Sequence, residues 1–310
     1  MKVLNLTNET SSDIKFEVSK FPDGQQQVKI LSNIRELLPG IYLSNFVNIQ
    51  IKTRLNNFQD LELLICTVKS LKGLEQVGLT FKIHLYTPYF LGSRSDRKFE
   101  EGSNNYLKDV ICPIINSLNF ESVTVIDSHS DVLEACLNNF KKVDNLNLIN
   151  YSLSHYTHGI YSDKTSTERT LDKFILISPD AGANKKIFKV AEQIGYTGEI
   201  ITCSKSRDEQ GKITHVVVPI KYEETKDVVI IDDICDGGAT FNNIAAALND
   251  AGHQGKKYLI ITHGIFSKGF SELSKYFDGI YCTNSYSDLL DKTDWNYQKT
   301  QEIVKQLNVF

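Results

Sequence analysis

Apolar positions along this 310-residue chain follow two periods. Short, nearly continuous runs rich in β-branched residues recur: Val123-Thr124-Val125-Ile126, Phe174-Ile175-Leu176-Ile177, Val228-Val229-Ile230-Ile231 and Tyr258-Leu259-Ile260-Ile261. Such runs predict strands buried on both faces, as in parallel sheets. Phe81–Tyr86, Ile200–Thr202 and Gly279–Ser285 are read the same way. Helical spacing lies between them: Leu61, Leu64, Ile65 and Val68 behind a capping Asp60, then Tyr106, Leu107, Val110 and Ile111, then Phe241–Leu248. The first 30 residues alternate as short strands, with Pro22-Asp23-Gly24 marking a hairpin corner. Tyr42–Phe46 is expected to be the next strand. Residues 141–170 read as polar and irregular, with His155 and His158 in a surface loop. Ile303, Val304 and Leu307 share one helical face, so a terminal helix is expected over 295–310.

Composition narrows the class. The length suits two domains of roughly 150 residues each. Hydrophobic content of 41% and charged content of 23% are ordinary for a globular chain. The net charge of −4, with no basic block, gives no reason to expect nucleic acid as a partner. No apolar run approaches the roughly 18 residues of a membrane helix, and the N-terminus lacks a signal-peptide layout. Cysteines 66, 112, 136, 203, 235 and 282 form no CxxC pair, so reduced thiols in the cytoplasm are expected.

The chemistry gathers where strands end. The run Val228–Ile231 leads into Asp232 and Asp233, a small loop Asp236-Gly237-Gly238-Ala239-Thr240, and a helix. Carboxyl ends of parallel strands are where open α/β sheets bind ligands. Backbone N–H groups at a helix N-terminus form a phosphate site, and the paired acids suit ribose hydroxyls, directly or through a metal. Val123–Asp127 echoes Val228–Asp232, which points to a degraded internal repeat, with the glycine loop kept only in the second copy. Arg94, Arg97 and Lys98 follow the Phe81–Tyr86 strand in a loop suited to a polyphosphate. His129 stands between Asp127 and Asp131. Lys205 and Arg207 lie two apart on an extended segment, before a polar, lid-like Asp208–Lys212.

These stretches, in this order, resemble the ribose-phosphate pyrophosphokinase (phosphoribosyl pyrophosphate, or PRPP, synthetase) family. The resemblance rests on Pro88-Tyr89-Phe90…Arg94-Ser95-Asp96-Arg97-Lys98, Ser178-Pro179-Asp180-Ala181-Gly182 followed by Lys185-Lys186, and Asp232-Asp233…Asp236–Thr240. Phe21-Pro22-Asp23-Gly24-Gln25, Asp127-Ser128-His129-Ser130-Asp131 and Thr262-His263-Gly264-Ile265-Phe266-Ser267 add to it. It implies an α/β fold of two tandem type I phosphoribosyltransferase-like domains with mainly parallel sheets flanked by helices. Residues 1–146 would be the ATP-side domain and 147–294 the sugar-phosphate domain. The terminal 295–310 helix would pack back on the first domain.

The implied reaction moves the β,γ-diphosphate of ATP to ribose 5-phosphate, with Mg²⁺ as cofactor. Lys205 and Arg207 would be catalytic. Phe21, Asp23, Gln25, Arg94, Ser95, Asp96 and His129 would bind ATP, and His129 and Asp180 the metal. Asp232, Asp233, Asp236, Gly237, Gly238, Ala239 and Thr240 would bind the ribose phosphate. The resemblance further implies a homo-oligomer, dimer or hexamer, whose active site lies between the domains and is shared between subunits. His263 is expected to be structural. Three departures stand out: Gln25 and Ser95 replace nucleotide contacts, the helix before Phe21 is missing, and Gly237-Gly238-Ala239 replaces Thr-Ala-Gly or Thr-Gly-Gly. The smaller side chain at 237 keeps open a second acceptor, ADP-ribose, whose product would serve NAD salvage. A non-catalytic regulatory subunit is the alternative of another class; retention of Lys205, Arg207 and the acid pair argues against it.

Overall fold

The structure is a computed structural model that describes residues 1–37, 46–76, 79–160, 174–207, 213–219, 225–289 and 302–310. The expected strand at Tyr42–Phe46, apart from Phe46, and the lid-like Asp208–Lys212 lie outside them. The chain divides into two compact units, Met1–Asp144 with Phe310, and Asn145–Val309.

The first unit runs β1 (Lys2–Asn5), β2 (Phe16–Lys20), β3 (Gln26–Ile30), α1 (Ile34–Leu37), β4 (Phe46–Lys52), α2 (Phe58–Lys72) and β5 (Thr80–Tyr86). Then follow a π-helical turn (Leu107–Ile111), α3 (Cys112–Ser117), β6 (Ser122–Ile126), α4 (Val132–Cys136) and β7 (Phe140–Val143). β1, β4, β5, β6 and β7 form a five-stranded parallel sheet in that order. β2 and β3 are a separate antiparallel hairpin. Val47, Ile49 and Ile51 of β4 and Phe81, Ile83 and Leu85 of β5 are buried, with α2 supplying Leu61, Leu64, Val68 and Leu71 to the same core. The residues between them, Asn48, Gln50 and Lys52, then Lys82, His84 and Tyr86, are only half-buried. This two-residue alternation marks a sheet covered by apolar packing on one face. α2 begins at Phe58, not at Asp60. Extended Asn57 accepts from the N–H groups of Gln59 and Asp60 (2.8 and 3.0 Å), and Asp60 accepts from the Asn56 N–H.

The second unit runs α5 (Leu146–Ile160), β8 (Phe174–Ser178), α6 (Asn184–Ile194), β9 (Ile200–Thr202), β10 (Ser204–Arg207) and β11 (Ile213–Val217). It continues with β12 (Asp227–Cys235), α7 (Ala239–Asp250), β13 (Lys257–Gly264), β14 (Gly279–Thr283) and β15 (Val304–Leu307). Its six-stranded parallel sheet has the order β15-β14-β13-β12-β8-β9, beside a β10–β11 hairpin. Ile175, Ile177, Val228, Ile230, Leu259 and Ile261 face α7 through Phe241, Ile244 and Leu248. The alternate residues Phe174, Leu176, Val229, Ile231 and Ile260 pack against Ile187, Val190 and Ile194 of α6 and Leu148 and Ile149 of α5. Apolar cover on both faces accounts for the continuous apolar runs.

Three expectations are corrected. The end of the chain is a strand: Val304–Leu307 pairs in parallel with Ile280–Thr283 inside the second unit, and Val304 is buried. A half-turn of apolar spacing fits either period, and pairing with an open sheet edge decides. Phe310 alone is grouped with the first unit, its ring edge-on to Tyr86. Residues 146–160 are a helix, not a loop. His155 is on it, its Nδ1 2.9 Å from the Tyr151 carbonyl oxygen one turn back, while the His158 side chain lies outside the description. Burial of Leu148 and Ile149 overrides the poor helix propensity of the Asn and Ser residues around them.

The repeat is real but differently aligned. Each unit has an opening strand, a hairpin, then a strand beside the opening one and three more in sequence. β4 therefore matches β12, and β6 matches β14, so the Val123–Asp127 echo of Val228–Asp232 is not the repeat. The β8-α6-β9 excursion has no counterpart in the first unit, where a single 3-10 turn, Glu9–Ser11, joins β1 to the hairpin.

Candidate functional site

In the second sheet β9 lies on one side of β8, and β12 to β15 lie on the other. The winding reverses between β8 and β12, the switch point where open α/β sheets bind ligands at the strands' carboxyl ends. β8 stops at Ser178, and its pairing with β12 ends at Ile177↔Ile230. β12 continues alone beside β13 to Cys235↔Gly264. Asp232 and Asp233 therefore sit inside the strand, on the stretch that outruns β8.

Alternation puts Asp233 on the face of Val229 and Ile231, which is the α6 face. There Lys186, in the first turn of α6, donates to Asp233 Oδ2 at 2.8 Å. Asp233 is 4% exposed. Its N–H donates to Asp232 Oδ1 at 2.9 Å. Burial, and next the adjacent Asp233 carboxylate, push the Asp232 carboxyl well above the usual carboxylate range; the Lys186 ammonium pulls weakly the other way. Asp233 is thus ion-paired, while the Asp232 carboxyl is raised. Burial, with Asp232 and Asp236 nearby, also pushes the Cys235 thiol up to about 12, so it is not a poised nucleophile.

The loop after β12 turns at Gly238, whose φ of +77° favours glycine, and opens α7. None of the described residues accepts from the N–H groups of Gly237, Ala239 or Thr240. The loop after β13 holds it from outside. The N–H groups of Ile265 and Phe266 donate to the Cys235 carbonyl, and Ser267 donates to Asp236 through N–H (3.2 Å) and Oγ (2.6 Å, to Oδ1). A Cβ built on Gly237 would lie 3.3 Å from both Cδ and Cε of Lys268. The stem of Lys268 thus lies beside Gly237. His263 is buried against Ser285, Nδ1 to Oγ 2.8 Å, a structural contact.

Asp180 follows β8 in extended conformation and accepts the Ala183 N–H at 3.1 Å, opening the 3-10 turn before α6. Lys205 and Arg207 are on β10, opposite Val216 and Ile213. A register shift falls between Ser206 and Arg207, so the simple two-residue alternation expected there is interrupted; their side chains lie outside the description.

In the first unit, Phe21 stands at the tip of the β2–β3 hairpin, 52% exposed. Its N–H donates to the Gln25 carbonyl, Asp23 accepts from the Gln25 N–H, and Gly24 takes φ +97°. Arg94 is exposed in the loop after β5, Ser95 donates back to the Gly92 carbonyl, and the Asp96 carbonyl accepts from Asn105 Nδ2 at 2.6 Å. After β6, buried Asp127 takes φ +42°, a strained value that turns the chain sharply toward exposed His129. Among the described residues, no group of three or more His, Cys, Asp or Glu gathers as a ready cation site.

Two contributors went unread in the sequence as parts of the site. Lys186 was visible only as one of a basic pair after Gly182, and Lys268 carries no local signal.

No family model matches the chain. It is 26% identical over 281 residues to the ribose-phosphate pyrophosphokinase of Thermosipho africanus, covering 89% of this chain and 80% of that protein. To the ribose-phosphate pyrophosphokinase of Pyrococcus furiosus it is 28% identical over 271 residues, covering 87% and 85%. Among solved structures, phosphoribosylpyrophosphate synthetase from Mycobacterium smegmatis matches 95% of this chain and 86% of its own, with a TM-score of 0.72 at 15% identity, which is likeness of fold. The motif order and the likeness along most of the length agree: the chain is similar to the ribose-phosphate pyrophosphokinases and has the fold of phosphoribosylpyrophosphate synthetase.

Proposed function

We propose that this chain moves the β,γ-diphosphate of ATP onto the anomeric hydroxyl of ribose 5-phosphate, giving PRPP and AMP. Its relatives mark it as an enzyme of the ribose-phosphate pyrophosphokinase type. The observation that carries the finer reading is the Asp232–Asp233 pair braced by Lys186, ahead of the amide loop, where β12 outruns β8. One acid ion-paired and the other biased toward the proton can accept from one ribose hydroxyl and donate to its neighbour. The loop Asp236–Thr240 would hold the 5′-phosphate by its amides and the threonine hydroxyl.

In the transfer a bond forms between the anomeric oxygen and the β-phosphorus, the bond to the α,β-bridging oxygen breaks, AMP leaves and the hydroxyl proton passes to solvent. Such chemistry needs positioning and charge neutralisation more than covalent help. Lys205 and Arg207 would neutralise the moving diphosphate. Exposed Phe21 would offer a face for a base, and Asp23, Gln25, Arg94, Ser95 and Asp96 would contact the nucleotide. Mg²⁺ is taken by one or two protein groups together with substrate phosphates. His129 or Asp180 would be such a single protein group, and the ion would reduce the charge on the phosphates. The stem of Lys268 lies beside Gly237, which favours ribose 5-phosphate over ADP-ribose as the acceptor.

The test is AMP release from ATP and Mg²⁺ with ribose 5-phosphate or ADP-ribose, product masses read alongside. AMP and PRPP with ribose 5-phosphate are expected. No AMP from folded protein with either acceptor would sink the enzyme reading; turnover of ADP-ribose alone would sink this acceptor.

A further inference from the structure

The phosphate loop has a cation that the reaction just described leaves unassigned. Lys268 projects from the segment Ile265–Gly269, and that segment is bound to the loop itself rather than swinging free. Buried Phe266, at φ +47°, anchors it, its ring 4.5 Å from that of Phe270. The hydrogen bonds from Ile265, Phe266 and Ser267 to Cys235 and Asp236 fix the backbone on either side of the turn. The stem of Lys268 then runs along Gly237, with Cγ, Cδ and Cε 3.5, 3.3 and 3.3 Å from where a Cβ would be. The ammonium is one bond past Cε. No described acid pairs with Lys268, while the loop beneath offers N–H groups of Gly237, Ala239 and Thr240 that no described residue uses.

Gly237 and Lys268 then bear on each other. Where that pattern has a threonine, this chain has Gly237. A threonine Cβ would come within 3.3 Å of the lysine stem, so the stem would have to shift by a few tenths of an ångström, and glycine lets it lie close against the loop.

We propose that Lys268, admitted by Gly237, is a further phosphate-binding side chain of the acceptor site, and that it fits the site to the terminal dianionic phosphate of a sugar monophosphate. This rests on reading Asp236–Thr240 as the acceptor's phosphate loop. An ammonium beside amide donors adds a charge-assisted contact that the amides alone lack. A diester phosphate, with one charge instead of two, gains less from it.

The experiment measures ribose 5-phosphate, ADP-ribose, inorganic phosphate and ATP binding by calorimetry, each ligand alone and without turnover, to wild type, K268M, K268R and G237T. Lys268 is exposed, so K268M is expected to melt with wild type. Ribose 5-phosphate should bind K268M about tenfold more weakly, with K268R in between, and its salt dependence should flatten. G237T should show a similar loss, and ATP affinity should not change. Wild-type affinity retained in K268M overturns the role of Lys268 while the acceptor reading stands. Equal losses for ATP and ribose 5-phosphate overturn it too, as a general charge effect. Wild type that binds neither ribose 5-phosphate nor inorganic phosphate overturns both readings together.

Discussion

Asp232 and Asp233 are neighbours in sequence, yet the fold treats them differently. Asp233 meets Lys186; among the described residues no ion pair holds Asp232, and its carboxyl is raised. A carboxyl whose folded-state pKa lies above its unfolded value of about 3.9 contributes fully below that value, and the contribution is lost as pH rises through the folded pKa. D232N removes the group that titrates. At pH 7.5 its Tm should exceed wild type by roughly 2–4 °C, with the gap closing near pH 4, while AMP release falls by about a hundredfold or more. A Tm gap independent of pH would show that Asp232 is not raised. K186M leaves a buried carboxylate without its cation. The lysine side chain is 30% exposed, so the cost should be about 1–2 kcal/mol in urea unfolding, below the range for fully buried pairs. K186R should restore most of it.

The elements show how far pattern alone reaches. β8, β12 and β13 were legible because cover on both faces makes every position apolar. β4 was not picked out, although Val47, Ile49 and Ile51 alternate cleanly, because polar residues half-covered on the other face dilute the signal. β15 was misread because three apolar residues fit either period. If Val304 is the buried member of an edge strand, V304A loses two methyl groups from the core and costs about 1.5–2 kcal/mol. Denaturation midpoints of V304A and wild type check this; equal midpoints would return the segment to an exposed helix. At the β2–β3 hairpin, Phe21 is exposed at a tip that its own backbone bonds hold rigid. F21A should leave stability within about 0.5 kcal/mol and raise the KM for ATP severalfold, with the KM for ribose 5-phosphate unchanged.

The whole molecule is two units, each with its own core. Independent cores predict unfolding that departs from a single two-state transition. Calorimetry should give a calorimetric enthalpy above the van't Hoff value. Ribose 5-phosphate should shift mainly the component that belongs to the second unit, since a ligand stabilises what it binds. A single transition with equal enthalpies would mean the units unfold as one.

Sequence by itself determined the α/β class and the order of the strand-and-acid units, because strand burial, turn chemistry and strand-end polar residues are local, and local order survives in the letters; the candidate roles of Phe21, Arg94, His129, Asp180, Lys205, Arg207, Asp232, Asp233 and Asp236 to Thr240 came from the family resemblance. Tertiary structure decided the rest. The true repeat came from strand order, since buried strands of different rank look alike. The Lys186 contact came from α6 lying on one face of β12, 47 residues away in the chain. The neighbour of Gly237 is a lysine 31 residues on, because what lies beside a missing side chain depends on what else the fold packs there.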